Sequence, residues 1–350
     1  MLKRGFSLLV GLALTASFTA VAQDECAEFK ITNEKDNYFQ IEMTDDLGYS
    51  SYQLDLGDGR VKSFDGDEMV VYYPFKGDYT VTLISKKDNE ECRVHHDVSV
   101  KEDDEYYATK QELVWSDEFN GDEVNREFWT FETGATGWGN QELQDYTDGE
   151  NAEVEDGTLT IVAKKIGERG IRGEYTSTRM ITKDKKEFMY GRFEMRAKLP
   201  TGRGTWAAFW MLGANFPEVM WPHCGEIDIM EHVGYETGVV HSAMHTPSSF
   251  GNTRNKGSVT LDDVENEYHT YGVIWDKHSM KFYVDDPENI HYTYQPEVKN
   301  NETWPYDQPA FLLLNLAIGG TWGGKEGVDD RSFPQEYVID YVRVYQHPDF

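Results

Sequence analysis

Apolar and polar residues alternate in short runs along most of the chain, with a period of two and not the 3.6 of a helix. Such runs occupy Tyr38 to Met43, Ser51 to Leu56, Met69 to Tyr73, Tyr79 to Ile84 and Arg93 to Val100, with turns at Gly57-Asp58-Gly59, Asp65-Gly66 and Gly77-Asp78. They predict a small β-sandwich over residues 24–101. The next stretch, KEDDEYYATK from Lys101 to Lys110, lacks core periodicity and reads as a charged linker, placed at 102–110. From Leu113 strands and glycine-bearing turns continue to Tyr345 with no helical stretch of comparable strength, so residues 111–347 are expected to form one large two-sheet sandwich of jelly-roll type. Within it Phe188 to Leu199 (FMYGRFEMRAKL) alternates strictly. Phe311 to Ile318 (FLLLNLAI) is apolar on both faces, and its lone polar residue, Asn315, either meets a backbone group or faces a cleft.

One stretch breaks this pattern with charge. Gly225 to Gly234 reads GEIDIMEHVG, three carboxylates set among apolar residues and bracketed by glycines. In a regular strand Glu226 and Asp228 share one face and Glu231 the other, and the Cα atoms of the two glutamates stand about 16 Å apart. Two carboxyl groups acting on one glycosidic bond must share a face, at about 5 Å if configuration is retained. A β-bulge between Asp228 and Glu231 mends both faults, because the extra residue turns Glu231 to the face of Glu226 and shortens the span to about 13 Å. On this reading Glu226 is a nucleophile, Glu231 a general acid and then base, and Asp228 the neighbour that holds Glu226. Crowding three acids should raise at least one pKa, which suits the acid. The bland alternative is a polar face of a surface strand, against which stand the alternating Ile and Met and the lack of basic partners.

Composition narrows the partner. The 350 residues carry a formal charge of −30, which repels nucleic acid and anionic membranes and favours a neutral polysaccharide or a cation. Nine Trp and 21 Tyr suit a sugar cleft, though sandwich packing also uses them. Residues 1–22 read as a signal peptide: Lys3 and Arg4 precede the apolar run Phe6 to Ala20 and the small-residue site Ala20-Val21-Ala22. The run is too short and wrongly flanked for a membrane span. The protein is therefore expected to be secreted or periplasmic, and a monomer. In that oxidising compartment Cys26 and Cys92, near the two ends of the small sandwich, are expected to be bridged, and Cys224 to be a buried small residue.

The stretch Trp221 to Gly234, WPHCGEIDIMEHVG, resembles the active-site strand of glycoside hydrolase family 16, specifically its laminarinase-like members with E-x-D-x-x-E spacing. The resemblance covers about residues 110–347 and implies a concanavalin-like β-jelly-roll with a retaining double-displacement mechanism. It carries Asn140 over as substrate-contacting and Trp138 as a stacking wall in the loop Gly137 to Leu143; Asn140 could equally be a turn residue. It implies a cleft arginine at Arg179, donating to sugar hydroxyls or the nucleophile, where the alternative is an ordinary surface arginine. Trp206 and Trp210 share a face, so both line the cleft or both are core, and the resemblance places Trp210 near the scissile bond. It also implies a structural calcium held by Glu118, Gly157 and Asp340, against a hydrogen-bonded edge carboxylate as the alternative. No cofactor is expected for catalysis.

Three more positions follow from placement along the chain. Trp221 lies in the loop entering the acidic strand, suited to an apolar ring under a pyranose face. His241 and His245 share a face of the next strand, where His245 could hydrogen-bond the acid or a sugar hydroxyl; a zinc pair lacks a third ligand at any usual spacing. Trp322, in Gly319 to Gly324, is placed to cap one end of a groove. In the small sandwich, YQLDLGDG (Tyr52 to Gly59) and YPFKGDYTVTL (Tyr73 to Leu83) resemble the polycystic-kidney-disease (PKD) type of immunoglobulin-like module. The expectation is a secreted endo-β-1,3-glucanase acting on laminarin-like β-glucan. Its rivals are a mixed-linkage β-1,3/1,4-glucanase or agar-type galactanase of the same family, and a non-catalytic β-glucan-binding protein, against which all three acids speak.

Overall fold

The computed structural model describes residues 26–87, 90–107 and 110–350, and among them the regular elements are β-strands, with a 3-10 turn at Asp330–Ser332. The expected signal peptide lies outside the described residues. In the N-terminal part, a three-stranded sheet (Glu28–Lys35, Tyr38–Asp45, Glu68–Tyr72) faces a four-stranded one (Val61–Ser63, Ser51–Asp55, Gly77–Lys87, Glu90–Val100). Between them Phe29, Phe39, Ile41, Leu54, Leu56, Val81, Leu83 and Val98 form a core. The sequence pattern did not show the strand Glu28–Lys35, where Phe29 is buried, Ile31 is partly buried against the core and the other residues are polar and exposed. Cys26 and Cys92 form a disulfide with their Cα atoms 5.8 Å apart.

The larger part stacks a ten-stranded sheet on an eight-stranded one. The eight-stranded sheet runs in the order Lys256–Thr260, Val239–His245, Glu226–Val233, Thr205–Gly213, Ala310–Ile318, Arg179–Ile181 and Thr130–Phe131, with Glu187–Phe188 added on Ala310–Ile318. Every pair in it is antiparallel. Period-two alternation sends one set of side chains to the opposing sheet, among them Phe209, Met211, Ile227, Met230, Leu312 and Leu314, which meet Phe193, Met195, Tyr337 and Ile339 in one core. All nine residues of Ala310–Ile318 are buried, as expected for a central strand covered on both faces.

The linker expectation is corrected. Tyr107 is buried in the large core and Asp104 accepts the Tyr72 hydroxyl at 2.5 Å, so the described part of the charged run, expected to lack a place in any core, packs down. Its acids find tyrosine and backbone donors on the small sandwich, a cross-chain complementarity that periodicity does not encode. The small sandwich docks on the chain's end: Tyr72 stacks on His347 at 4.5 Å, Arg60 lies 4.1 Å over the Phe350 ring, and the Tyr38 hydroxyl donates to Asp349 at 2.7 Å.

Candidate active site

Gly225 hands the chain into the acidic strand at φ +76°, where a Cβ would come within 2.7 Å of the Tyr306 ring, so glycine is required. Glu226 then pairs with His245, Asp228 with Ala243 and Glu231 with His241. From Asp228 to Glu231 the acidic strand advances three residues while its neighbour advances two. On the other side Asp228 faces Trp210 and Met230 faces Phe209, which identifies Ile229 as the extra residue. The bulge therefore sits where two glutamates on one face require it. The face is defined by the flanking strands: Leu212, Trp210 and Ala208 on one side and His245, Ala243 and His241 on the other stand beside Glu226, Asp228 and Glu231 in turn. Ala208 and Ala243 leave the floor open. Ile227, Ile229 and Met230 go to the core.

Both glutamates receive an indole N–H. Trp221 donates to Glu226 at 2.7 Å and Trp206 to Glu231 at 3.0 Å. The His245 Nε2 stands 3.1 Å from Asp228 and 3.7 Å from Glu226. Burial pushes the Glu226 carboxyl up to about 8, aided by the charge of Asp228, and pushes Asp228 up to about 7. Glu231 is raised well above the usual carboxylate range, again by burial first and the other two acids second. The three carboxyls therefore hold at least one proton near neutrality. Glu226 keeps 18% of its side chain exposed, enough for a substrate atom to reach it.

The cleft wall gathers most of the aromatic positions singled out in the sequence. Trp206 and Trp210 both take the open face: Trp210 donates to Asn315 at 2.8 Å, and Asn315 donates in turn to the Tyr146 hydroxyl. Trp322 packs edge-on against Trp206 at 5.3 Å and against His241 at 5.0 Å, which puts it at the Glu231 end. Trp221 meets Phe250 at 5.3 Å, at the Glu226 end. Trp138 donates to the Gly134 carbonyl at 2.9 Å, and Asn140 donates to Glu142 at 3.1 Å. Glu142 is a buried acid that the sequence reading passed over; it accepts from Gln144 and Tyr146 as well, and burial raises its pKa.

Arg179 does lie in the cleft wall, paired with Glu132 at 2.5 Å and standing 5.0 Å from the Trp138 ring and 4.8 Å from the Trp210 ring; of its two expected partners, the nucleophile is not among its contacts. Two other expectations need correction. His245 serves the Glu226 and Asp228 end, because the bulge register brings His241, and not His245, opposite Glu231. The calcium set does not fit: both Glu118 oxygens accept from Arg343 at 2.8 Å, and Asp340 is paired with Arg196. Gly157 lies in the turn between Ala152–Glu155 and Thr158–Lys165. Among the described residues the one grouping of three metal-capable side chains is Glu226, Asp228 and His245, the acid cluster itself. Cys224 is buried and its thiol pushed up to about 11, which makes it inert as a nucleophile.

The bulged E-x-D-x-x-E strand in a two-sheet sandwich decides the family, and the comparisons agree. Residues 139–343 match the model of glycosyl hydrolases family 16. The chain belongs to that family. It is 44% identical over 251 residues to a β-glucanase of Rhodothermus marinus, covering 68% of this chain and 86% of that protein. It is 38% identical to a glucan endo-1,3-beta-glucosidase of Cryptopygus antarcticus, covering 67% of this chain and 91% of that one. Among solved structures, the laminarinase of Flavobacterium sp. UMI-01 superposes with a TM-score of 0.63 at 48% identity, over 67% of this chain and all of that one. Family 16 membership makes the acidic cleft that of a glycoside hydrolase.

Proposed function

We propose that the chain is an endo-β-1,3-glucanase that cuts laminarin-like glucans with retention of configuration. The observation that carries this reading is the bulge at Ile229, which sets Glu226, Asp228 and Glu231 on one face of an open cleft. Glu231, whose pKa burial raises well above the usual carboxylate range, holds the proton for the leaving oxygen. Glu226 attacks the anomeric carbon as its carboxylate, the form that the Trp221 N–H favours, and forms the glycosyl-enzyme. Glu231, now deprotonated, takes a proton from water as it attacks, and the sugar is released. The glucanase and laminarinase names of the relatives support the choice of β-1,3-linked glucan.

Glu226→Gln and Glu231→Gln should each remove nearly all release of reducing ends from laminarin, while lichenan, agarose and carrageenan in the same assay test the mixed-linkage and galactan alternatives. Substantial hydrolysis by either pure variant overturns the assignment of the two roles. As part of the same reading, residues 1–22 direct export and the small sandwich is a PKD-type module serving as a spacer. The apolar leader and the YQLDLGDG and YPFKGDYTVTL stretches support this, and an N-terminal sequence of the exported protein beginning at Gln23 would test the first part.

A further inference from the structure

A bulge leaves one backbone carbonyl without its ladder partner, and in a buried sheet that carbonyl must be satisfied some other way. The extra residue here is Ile229, 2% exposed. Opposite it on the neighbouring strand is Ser242, the one position between Ala243, which pairs with Asp228, and His241, which pairs with Glu231. Ser242 is fully buried and shares the inward face of its strand with the core residues Val240 and Met244. A hydroxyl there is a departure from an otherwise apolar interface. It donates to the Ile229 carbonyl at 2.8 Å.

The second partner comes from the opposing sheet. His291, on the strand Ile290–Tyr294, places its Nε2 3.1 Å from the Ser242 oxygen. With its own proton given to Ile229, the hydroxyl can only accept from an Nε2–H, which leaves Nδ1 bare; Nδ1 has no partner among the described residues. Burial pushes the His291 pKa down to about 4, so the ring is neutral and keeps this tautomer at working pH.

We propose that Ser242, backed by His291, is a positioning residue for the acid/base: it pins the bulge carbonyl and thereby fixes the direction in which Glu231, two residues on, enters the cleft. Glu226 and Asp228 precede the bulge and keep regular register with His245 and Ala243. Loosening the bulge therefore displaces Glu231 and spares the nucleophile. A proton donor misplaced by an ångström loses up to about 100-fold in rate, and the loss falls on substrates whose leaving group needs that proton.

The inference rests on Glu231 being the acid, and the test separates the two. Measure kcat/KM, which reports the first bond-breaking step, on laminarin and on 2,4-dinitrophenyl β-laminaribioside, whose leaving group departs without protonation. Ser242→Ala should lose about 10- to 100-fold on laminarin and less than about 3-fold on the aryl glycoside. Ser242→Cys, which nearly keeps the volume with a weaker donor, should show the same imbalance to a lesser degree. Ser177→Ala removes another fully buried hydroxyl, one bonded at 2.6 Å to the Leu316 carbonyl of the same sheet, and should leave the ratio between the two substrates unchanged. Equal losses on both substrates, or no loss on either, overturn the positioning role. If Glu231→Ala itself shows no larger loss on laminarin than on the aryl glycoside, the acid assignment fails instead.

Discussion

The indole of Trp206 points at Glu231, with Nε1 3.0 Å from a carboxylate oxygen. That N–H stabilises the charged form and opposes the rise caused by burial. Trp206→Phe keeps the ring and removes the donor. A hydrogen bond to a charged group is worth ~1.5–3 kcal/mol and one pKa unit ~1.4 kcal/mol, so the alkaline limb of kcat/KM on laminarin should move up by about one to two pH units. A pH–rate profile checks it.

Trp221→Phe acts on the other glutamate. The Glu226 carboxylate loses its indole donor, and the acidic limb, which reports ionisation of the nucleophile, should move upward. The shift should be smaller than for Trp206, because Trp221 is itself 39% exposed and water replaces part of the lost bond.

Arg179 lies close to the rings of both Trp138 and Trp210 and is fixed by Glu132. Arg179→Leu removes two cation–π contacts, together about 1–3 kcal/mol, and frees two cleft walls. Measured on soluble laminarin, KM should rise about 5- to 100-fold, with kcat moving much less.

Stability should fall as pH rises through the acid cluster. Glu226 and Asp228 have folded pKa values above their unfolded ones, so between about pH 4 and pH 8 the folded state binds more protons than the unfolded. Their contribution is fully present below the unfolded values and is lost through the folded ones. Thermal unfolding at pH 5 and pH 8 should give a lower Tm at the higher pH, and Glu226→Gln with Asp228→Asn should flatten that drop.

The Cys26–Cys92 bridge closes a sequence separation of 66 residues, which by loop entropy stabilises the small sandwich by about 4 kcal/mol. Replacing both with Ser should lower the denaturant midpoint read from that sandwich by far more than the loss seen in laminarin hydrolysis.

Much of the site was legible because it followed from a contradiction. Three acids at E-x-D-x-x-E spacing cannot share a face in a regular strand, so the bulge was implied by the residues before any coordinates, and the structure has it at Ile229. Likewise the parity of Trp206 and Trp210 fixed that they share a face, though not which one. What stayed hidden was set by partners distant in sequence. Arg343 and Arg196 occupy the carboxylates expected to hold calcium, and no spacing rule joins Glu118 to a residue 225 positions away. Ser242 was an unremarked serine in VHSAMHT until the register set it against the extra residue. Glu142 is the exception: its donors Asn140, Gln144 and Tyr146 are close in sequence, and what hid it was its burial.

The last four residues, His347 to Phe350, are wedged into the seam with the small sandwich: His347 under Tyr72, Asp349 on Tyr38, Phe350 beneath Arg60. The tail works as a keystone for a unit whose own strands lie some 250 residues earlier. Trimming the chain after Tyr345 would therefore loosen the N-terminal sandwich, leaving contacts such as Phe75 on Tyr190 and Lys277 on Tyr79 to hold it, without altering a single residue inside it.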